Sequence, residues 1–231
     1  MRLMKGAMVA IALVAIGAAG QVGAQQAGQD ADRKVAGGGI TAKGWQGMID
    51  AGAAKKGATI NDSKFAETGG TLTLTIGPAA TYWNPANTAA GDYTVGATFR
   101  EGKSDAGHPH SYGIFIGGNQ LNTDQQSYVY CVAYGDGTFL VRGFNGQSVV
   151  TYSKRQPHAA VKKAGADGSV EQSIAWTVKG GRAECAINGT TVAGFDKSEL
   201  VTAGKLESTD GIYGIRVSHN VNVTVSNFGK K

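Results

Sequence analysis

Thr71-Leu72-Thr73-Leu74-Thr75-Ile76 alternates a β-branched hydroxyl residue with an apolar one at every step. Side chains of a strand point to opposite faces in turn, so Leu72, Leu74 and Ile76 share one side and the threonines the other. On a helix the same residues would be scattered around the axis and form no stripe. The segment reads as a half-buried strand with one face in a core.

The same signature continues outward from it. Runs of β-formers closed by Gly, Asn or Asp occur at Asp92 to Phe99, Tyr112 to Ile116, Ser127 to Tyr134, Thr138 to Phe144 and Gln147 to Tyr152. They recur at Gln172 to Lys179, Arg182 to Ile187, Thr190 to Phe195, Ile212 to Ser218 and Val221 to Phe228. Short strands at this spacing predict a sandwich or barrel of antiparallel strands. Asn188-Gly189, Gly180-Gly181 and Asp136-Gly137 are residue pairs that tolerate the positive φ of two-residue hairpins, and His219-Asn220 is read as a fourth such turn. A single short helix is expected at Asp196 to Ala203, capped by Asp196 or Ser198 and stopped by Gly204. Ile40 to Gly70 has no clean period.

With Asp136-Gly137 as a two-residue turn, one hairpin face carries Tyr128, Tyr130, Val132, Tyr134, Phe139 and Val141. The other carries Val129, Cys131, Ala133, Leu140, Arg142 and Phe144. Both faces are largely apolar, which places the hairpin centrally, with core on one side and a sheltered concavity on the other. The tyrosine face is assigned to the concavity because phenols tolerate water better than valine or leucine. Cys131 and Cys185 both fall in strands, and they either pair or stay as two buried thiols.

Arg2 and Lys5, the uncharged run from Gly6 to Gly20, and Val22-Gly23-Ala24 before Gln25 form a signal peptide over residues 1–24, with cleavage after Ala24. Its apolar run is shorter than the roughly 20 residues that span a bilayer. Export to a secreted or periplasmic location follows, with no membrane insertion. Residues 25–39 read as a flexible lead-in and 40–231 as one β-sandwich domain. The chain has 22 Lys and Arg against 17 Asp and Glu. Losing Arg2 and Lys5 with the signal leaves a surplus of three, too small and dispersed to call for nucleic acid.

The chain resembles the concanavalin A-like lectin/glucanase superfamily, near the secreted domains of the 3-keto-disaccharide hydrolase type. The residues that carry the likeness are Gly91-Asp92-Tyr93-Thr94-Val95 with Phe99-Arg100, Tyr112 to Gly118, Tyr128 to Phe144, Trp176, Ile187-Asn188-Gly189 and Gly211 to Val217. The resemblance implies an all-β, two-sheet antiparallel jelly-roll sandwich whose concave sheet binds a saccharide or polysaccharide.

The strand motif Glu-x-Asp-x-x-Glu of retaining glycosidases in that superfamily is missing, so no catalytic residue is assigned. No nucleophile elbow, phosphate loop or dinucleotide fingerprint occurs either. His108-Pro109-His110, after Asp105, is the one local group of metal-ligand residues; His158 and His219 are distant in sequence, and no metal or other cofactor is expected. Trp45, Trp176 and Phe139 read as core. Tyr128, Tyr130, Tyr134 and Trp83, the last in the loop or edge segment Tyr82-Trp83-Asn84-Pro85, are the candidate ligand-binding residues, since aromatic platforms stack on sugar rings. The expected function is a glycan-binding module. The alternatives are a glycoside-acting hydrolase of the 3-keto-disaccharide type, using Asp105, His108 or His110, and a non-catalytic envelope or adhesion domain.

Overall fold

The computed structural model describes residues 30–103 and 108–231. Strands β1 (Gly39–Ile40) and β2 (Gln46–Ile49) lead to a one-turn helix α1 (Ala51–Ala54), a 3-10 turn at Ile60–Asp62 and β3 (Lys64–Thr68). The threonine-leucine alternation forms β4 (Thr71–Thr75), followed by β5 (Ala80–Ala89), β6 (Tyr93–Glu101) and β7 (Ser111–Asn119). Next come β8 (Ser127–Tyr134), β9 (Thr138–Asn145), β10 (Ser148–Pro157) and β11 (Val170–Lys179). The chain ends with β12 (Arg182–Ile187), β13 (Thr190–Asp196), helix α2 (Lys197–Leu200), β14 (Gly211–Val217) and β15 (Asn222–Lys230).

The strands form two sheets. An eight-stranded sheet has the order β1-β3-β4-β15-β6-β11-β12-β13, and a seven-stranded sheet the order β10-β9-β8-β7-β14-β5-β2. All neighbours are antiparallel except β1 with β3. The inward faces meet in one core. Leu72, Leu74 and Ile76 are buried there as the alternation requires, while Thr73 is exposed. Across the core, Trp176 Nε1 donates to the Ile114 carbonyl at 3.2 Å, and Phe65 stacks on Tyr82 with ring centroids 4.6 Å apart. Cys131 of β8 and Cys185 of β12 form a disulfide that joins one sheet to the other.

Two of the expected turns are two-residue hairpins. Ile187 pairs with Thr190 around Asn188 and Gly189, and Lys179 with Arg182 around Gly180 and Gly181, all four turn residues having φ between 51° and 84°. The expected short helix is α2, where the Asp196 N–H donates to the Glu199 carboxylate at 2.8 Å; it ends at Leu200, short of Gly204, and it is not single, since α1 is a second one.

Three local expectations are corrected. In the β8–β9 hairpin Ala133 pairs with Phe139, and the Gly137 N–H donates to the Tyr134 carbonyl, so the loop holds three residues, Gly135 to Gly137. One extra loop residue shifts the register by one and exchanges the faces of β9. Phe139 and Val141 therefore join Val129 and Cys131 in the core, while Leu140, Arg142 and Phe144 stand beside the tyrosines. Secondly, His219-Asn220 does not close a hairpin, because β14 and β15 lie in different sheets; Asn220, at φ 54°, turns the chain across from one to the other. Thirdly, Tyr82 to Pro85 is not a loop but part of β5, next to the edge strand β2. Pro85 is accommodated because pairing with β14 breaks between Trp83 and Thr88.

The signal-peptide residues and the first part of the lead-in lie outside the described residues, as does Asp105. From Asp30 onward the lead-in is tied down rather than loose. Arg33 Nε donates to the Ile76 carbonyl (2.8 Å) and Nη2 to that of Val221 (3.1 Å), and the Val35 N–H donates to the Asp62 carbonyl (3.0 Å). Polar side chains and backbone groups make this anchor, so it leaves no hydrophobic period to detect.

Glu101, at the end of β6, is only 4% exposed. Burial pushes its carboxyl up to about 7; the Tyr112 hydroxyl beside it opposes the shift and the Asp136 charge adds to it. Neither Tyr112 Oη nor Glu101 Oε2 has a hydrogen bond of full geometry. Unfolded, the group ionises near 4.5. Below that pH both states hold the proton and nothing changes. Between 4.5 and about 7 only the unfolded chain releases it, so stability falls as pH rises and levels off above 7. The whole step is worth about 3 kcal/mol. Glu101→Gln is expected to remove it, so thermal melts at pH 5 and pH 8 should differ less in the variant than in the parent. A gap between variant and parent that stays constant with pH would contradict this assignment.

Candidate ligand face and histidine cluster

The seven-stranded sheet is apolar on both sides. Because Val129, Cys131 and Ala133 of β8 face the core, Tyr128, Tyr130 and Val132 must face outward. They form a second cluster with Trp83 of β5, Phe115 of β7, and Leu140 and Phe144 of β9. Tyr128 lies 5.0 Å from Phe115 and 5.2 Å from Phe144, centroid to centroid. Phe115 lies across β14 at Gly214, where an added Cβ would come within 2.5 Å of its ring.

Of the four aromatic residues expected to bind ligand, Trp83, Tyr128 and Tyr130 belong to this cluster and Tyr134 packs at its margin. Tyr128 is 1% exposed and its hydroxyl shares a 2.8 Å hydrogen bond with Thr81 Oγ1, which makes it floor rather than platform. Tyr134 is half-buried, with the Arg155 guanidinium 3.8 Å from its ring centre. Burial raises the Tyr128 and Tyr130 phenols above their ordinary range, with Arg216 opposing, so both stay neutral and able to donate or accept.

Three polar side chains that the sequence does not point to as ligand contacts share this face: Arg142, Arg216 and Asp50. Arg142 stands opposite Tyr130 in register, and its Nε has no hydrogen-bond partner. Arg216 is 7% exposed, with its guanidinium carbon 5.4 Å from the ring centres of both Tyr130 and Phe144. Its Nη1 and Nη2 donate to Asp50 Oδ1 and Oδ2 at 2.5 and 2.6 Å. Burial works against that positive charge, but Asp50 and the neighbouring phenols hold the group well above the usual arginine range.

A second constellation lies at one end of the same sheet. β7 and β14 pair Tyr112 with Val217, and the Ser218 N–H donates to the Ser111 carbonyl at 2.8 Å, so continuing the register sets His219 opposite His110. His108 and His110 have their rings 4.5 Å apart, and His219 lies 4.5 Å from His110. Asp30 completes the group. Its carboxylate is 3.3 Å from His108 Nε2 and 3.6 Å from the Nε2 atoms of both His110 and His219. Burial pushes His110 down to about 4, with His219 adding to the effect and Asp30 opposing it. For Asp30 burial acts upward, but the Asn220 hydrogen bond and the three imidazoles outweigh it and lower the carboxyl. Distance in the chain hid His219 and Asp30; the order β7-β14 brings in His219, and the lead-in, held through Asn220, brings in Asp30. A cleft of about 600 Å³, lined in part by Asp30, Asp32, Arg33, Asp50 and His219, opens beside the cluster.

No known protein family matches the sequence, and no curated protein does. Solved structures do match in shape. The carbohydrate-binding module CBM66 from Bacillus subtilis superposes with a TM-score of 0.56 at 8% identity, over 84% of this chain and 99% of that one. A galectin-like protein of unknown function from the same organism gives 0.55 at 11% identity, over 80% and 88%. The endo-beta-1,3-glucanase of Pyrococcus furiosus gives 0.50 at 12%, over 81% and 87%. The fold is a concanavalin A-like jelly roll. In this jelly roll the aromatic layer covers the outer side of the seven-stranded sheet, and the histidine cluster sits at the ends of its strands β7 and β14. Among the described residues no helix is long and apolar enough to cross a membrane.

Proposed function

We propose that this protein is a secreted or periplasmic saccharide-binding module that takes its ligand on the outer face of the seven-stranded sheet, over Trp83, Tyr128, Tyr130 and Tyr134. The observation that carries the reading is the aromatic layer outside the core. A sandwich is stabilised by the layer between its sheets, and a second one on the outer side of a single sheet needs another purpose. Trp83, Tyr128 and Tyr130 are buried and form the apolar floor, while the half-buried Tyr134 and Arg142 offer a ring face for the C–H side of a sugar and directional hydrogen bonds. Shape neighbours named as a carbohydrate-binding module and a glucanase fit this reading. The inter-sheet disulfide fits an oxidising compartment.

Titration of the purified protein against a panel of glycans tests it. Binding to at least one is expected, weakened roughly tenfold by Tyr134→Ala or Arg142→Ala, the loss of about 1.4 kcal/mol of contact. Both side chains are only half-buried, so the variants should melt near the parent. Uniform absence of binding would count against the module. A hydrolase of the 3-keto-disaccharide type keeps one observation in its favour, the His108 and His110 pair near a cleft; turnover of a 3-keto-disaccharide that disappears in His108→Ala would favour it over simple binding.

A further inference from the structure

We propose that Asp30, His108, His110 and His219 form a binding site for a zinc-class divalent ion. Ligand atoms of the four lie within 4.8 Å of one another. Two donors about 2.0–2.1 Å from a tetrahedral zinc stand roughly 3.4 Å apart. The separations of 3.3, 3.6 and 3.6 Å between the Asp30 oxygens and the three Nε2 atoms lie near that spacing, and the remaining pairs, all within 4.8 Å, would draw in around an ion.

The cluster is also unsatisfied in the way a ligand set is before metal arrives. His110 is 2% exposed, and neither its Nε2 nor Asp30 Oδ1 has a hydrogen-bond partner. Buried polar atoms without partners are rare and ask for one. The supporting contacts are those of a metal site. His219 shares a 2.9 Å hydrogen bond through Nδ1 with Asp32 Oδ1, which leaves Nε2 directed at the centre, and Asn220 Nδ2 donates to Asp30 Oδ2 at 2.7 Å. A carboxylate behind a ligating imidazole fixes its tautomer and ring orientation. Arg33, whose charge acts on His110, has its guanidinium occupied by Ile76, Val221 and Asn222. Three imidazoles and a carboxylate suit zinc, and also nickel or copper, better than calcium or magnesium, which prefer oxygen. The cleft alongside provides access.

The ion would tie together three stretches far apart in sequence: the lead-in at Asp30, the approach to β7, and the crossing from β14 to β15. Loading should therefore stabilise the sandwich. The test uses the full chain without a histidine tag, stripped with a chelator and titrated with zinc(II) alone, then with cobalt(II). One equivalent of zinc, a rise in Tm, and the visible absorption of tetrahedral cobalt are expected. His219→Ala and the more exposed His108→Ala should each weaken binding by about a hundredfold or more, and Asp32→Asn by about tenfold. His158→Ala, which lies outside the cluster, should leave it unchanged. No stoichiometric uptake, or uptake that survives in folded His108→Ala and His219→Ala, would overturn the site and leave only a cluster of ion pairs. Metal uptake is read without any sugar, so its failure is separate from that of saccharide binding.

Discussion

Replacing Cys131 and Cys185 together by alanine is expected to lower the stability of the folded chain by about 4 kcal/mol. The disulfide closes a loop spanning 54 residues and fastens β8 of one sheet to β12 of the other. Cutting it returns that loop-closure entropy to the unfolded chain, and the long-range pairing of the two sheets has to be assembled without it. For a domain of this size the loss corresponds to a Tm roughly 10 °C lower. Both sulfurs are fully buried, so a reductant reaches them only after the sandwich opens. Dithiothreitol in native buffer should therefore leave the bond intact over times in which the same reagent with denaturant breaks it. Urea melts of parent and double variant measure the difference; a loss under about 1 kcal/mol would mean that the bond adds little beyond the core packing around it.

Asp50→Asn is expected to cost about 3 kcal/mol. It leaves the Arg216 guanidinium between Tyr130 and Phe144 with its charge and without its bidentate partner, and a buried charge stripped of its counter-ion is far more costly than the pair is favourable. The figure sits at the low end for buried pairs because the Asp50 side chain is 32% exposed and water can take over part of its role. Adding Arg216→Met to the Asp50 variant removes the stranded charge and should restore most of the loss. A double-mutant cycle by denaturant melts decides the matter. If the double variant is as unstable as the sum of the singles, Asp50 and Arg216 act independently and the pair is not what holds this face together.

These residues also mark where local patterns stop being informative. The β8–β9 hairpin is legible as a hairpin, from Asp136-Gly137 between two β-rich runs, and its tyrosine face is legible from alternation alone. The partner face is not. Whether the loop holds two residues or three depends on the backbone of Gly135, and that one residue moves Arg142 and Phe144 from the core side to the tyrosine side. Asn188-Gly189 and Gly180-Gly181 carry no such ambiguity, and their registers are the expected ones. Trp83 escapes a local reading because a proline two residues on argues against a strand, while the break in the β5–β14 pairing that admits Pro85 exists only once β14 is alongside.

What the sequence determined by itself follows from period and turn chemistry: strands rather than helices, antiparallel neighbours at glycine-containing turns, a sandwich or barrel of them, and an aromatic surplus on β8. These are properties of residues a few positions apart. Tertiary structure alone decided that Cys131 meets Cys185, that Arg216 finds Asp50, and that His219 and Asp30 join His108 and His110. Those meetings depend on which strands, and which ends of the chain, lie side by side, and alternation, which repeats identically in every strand, carries no label saying which strand lies beside which.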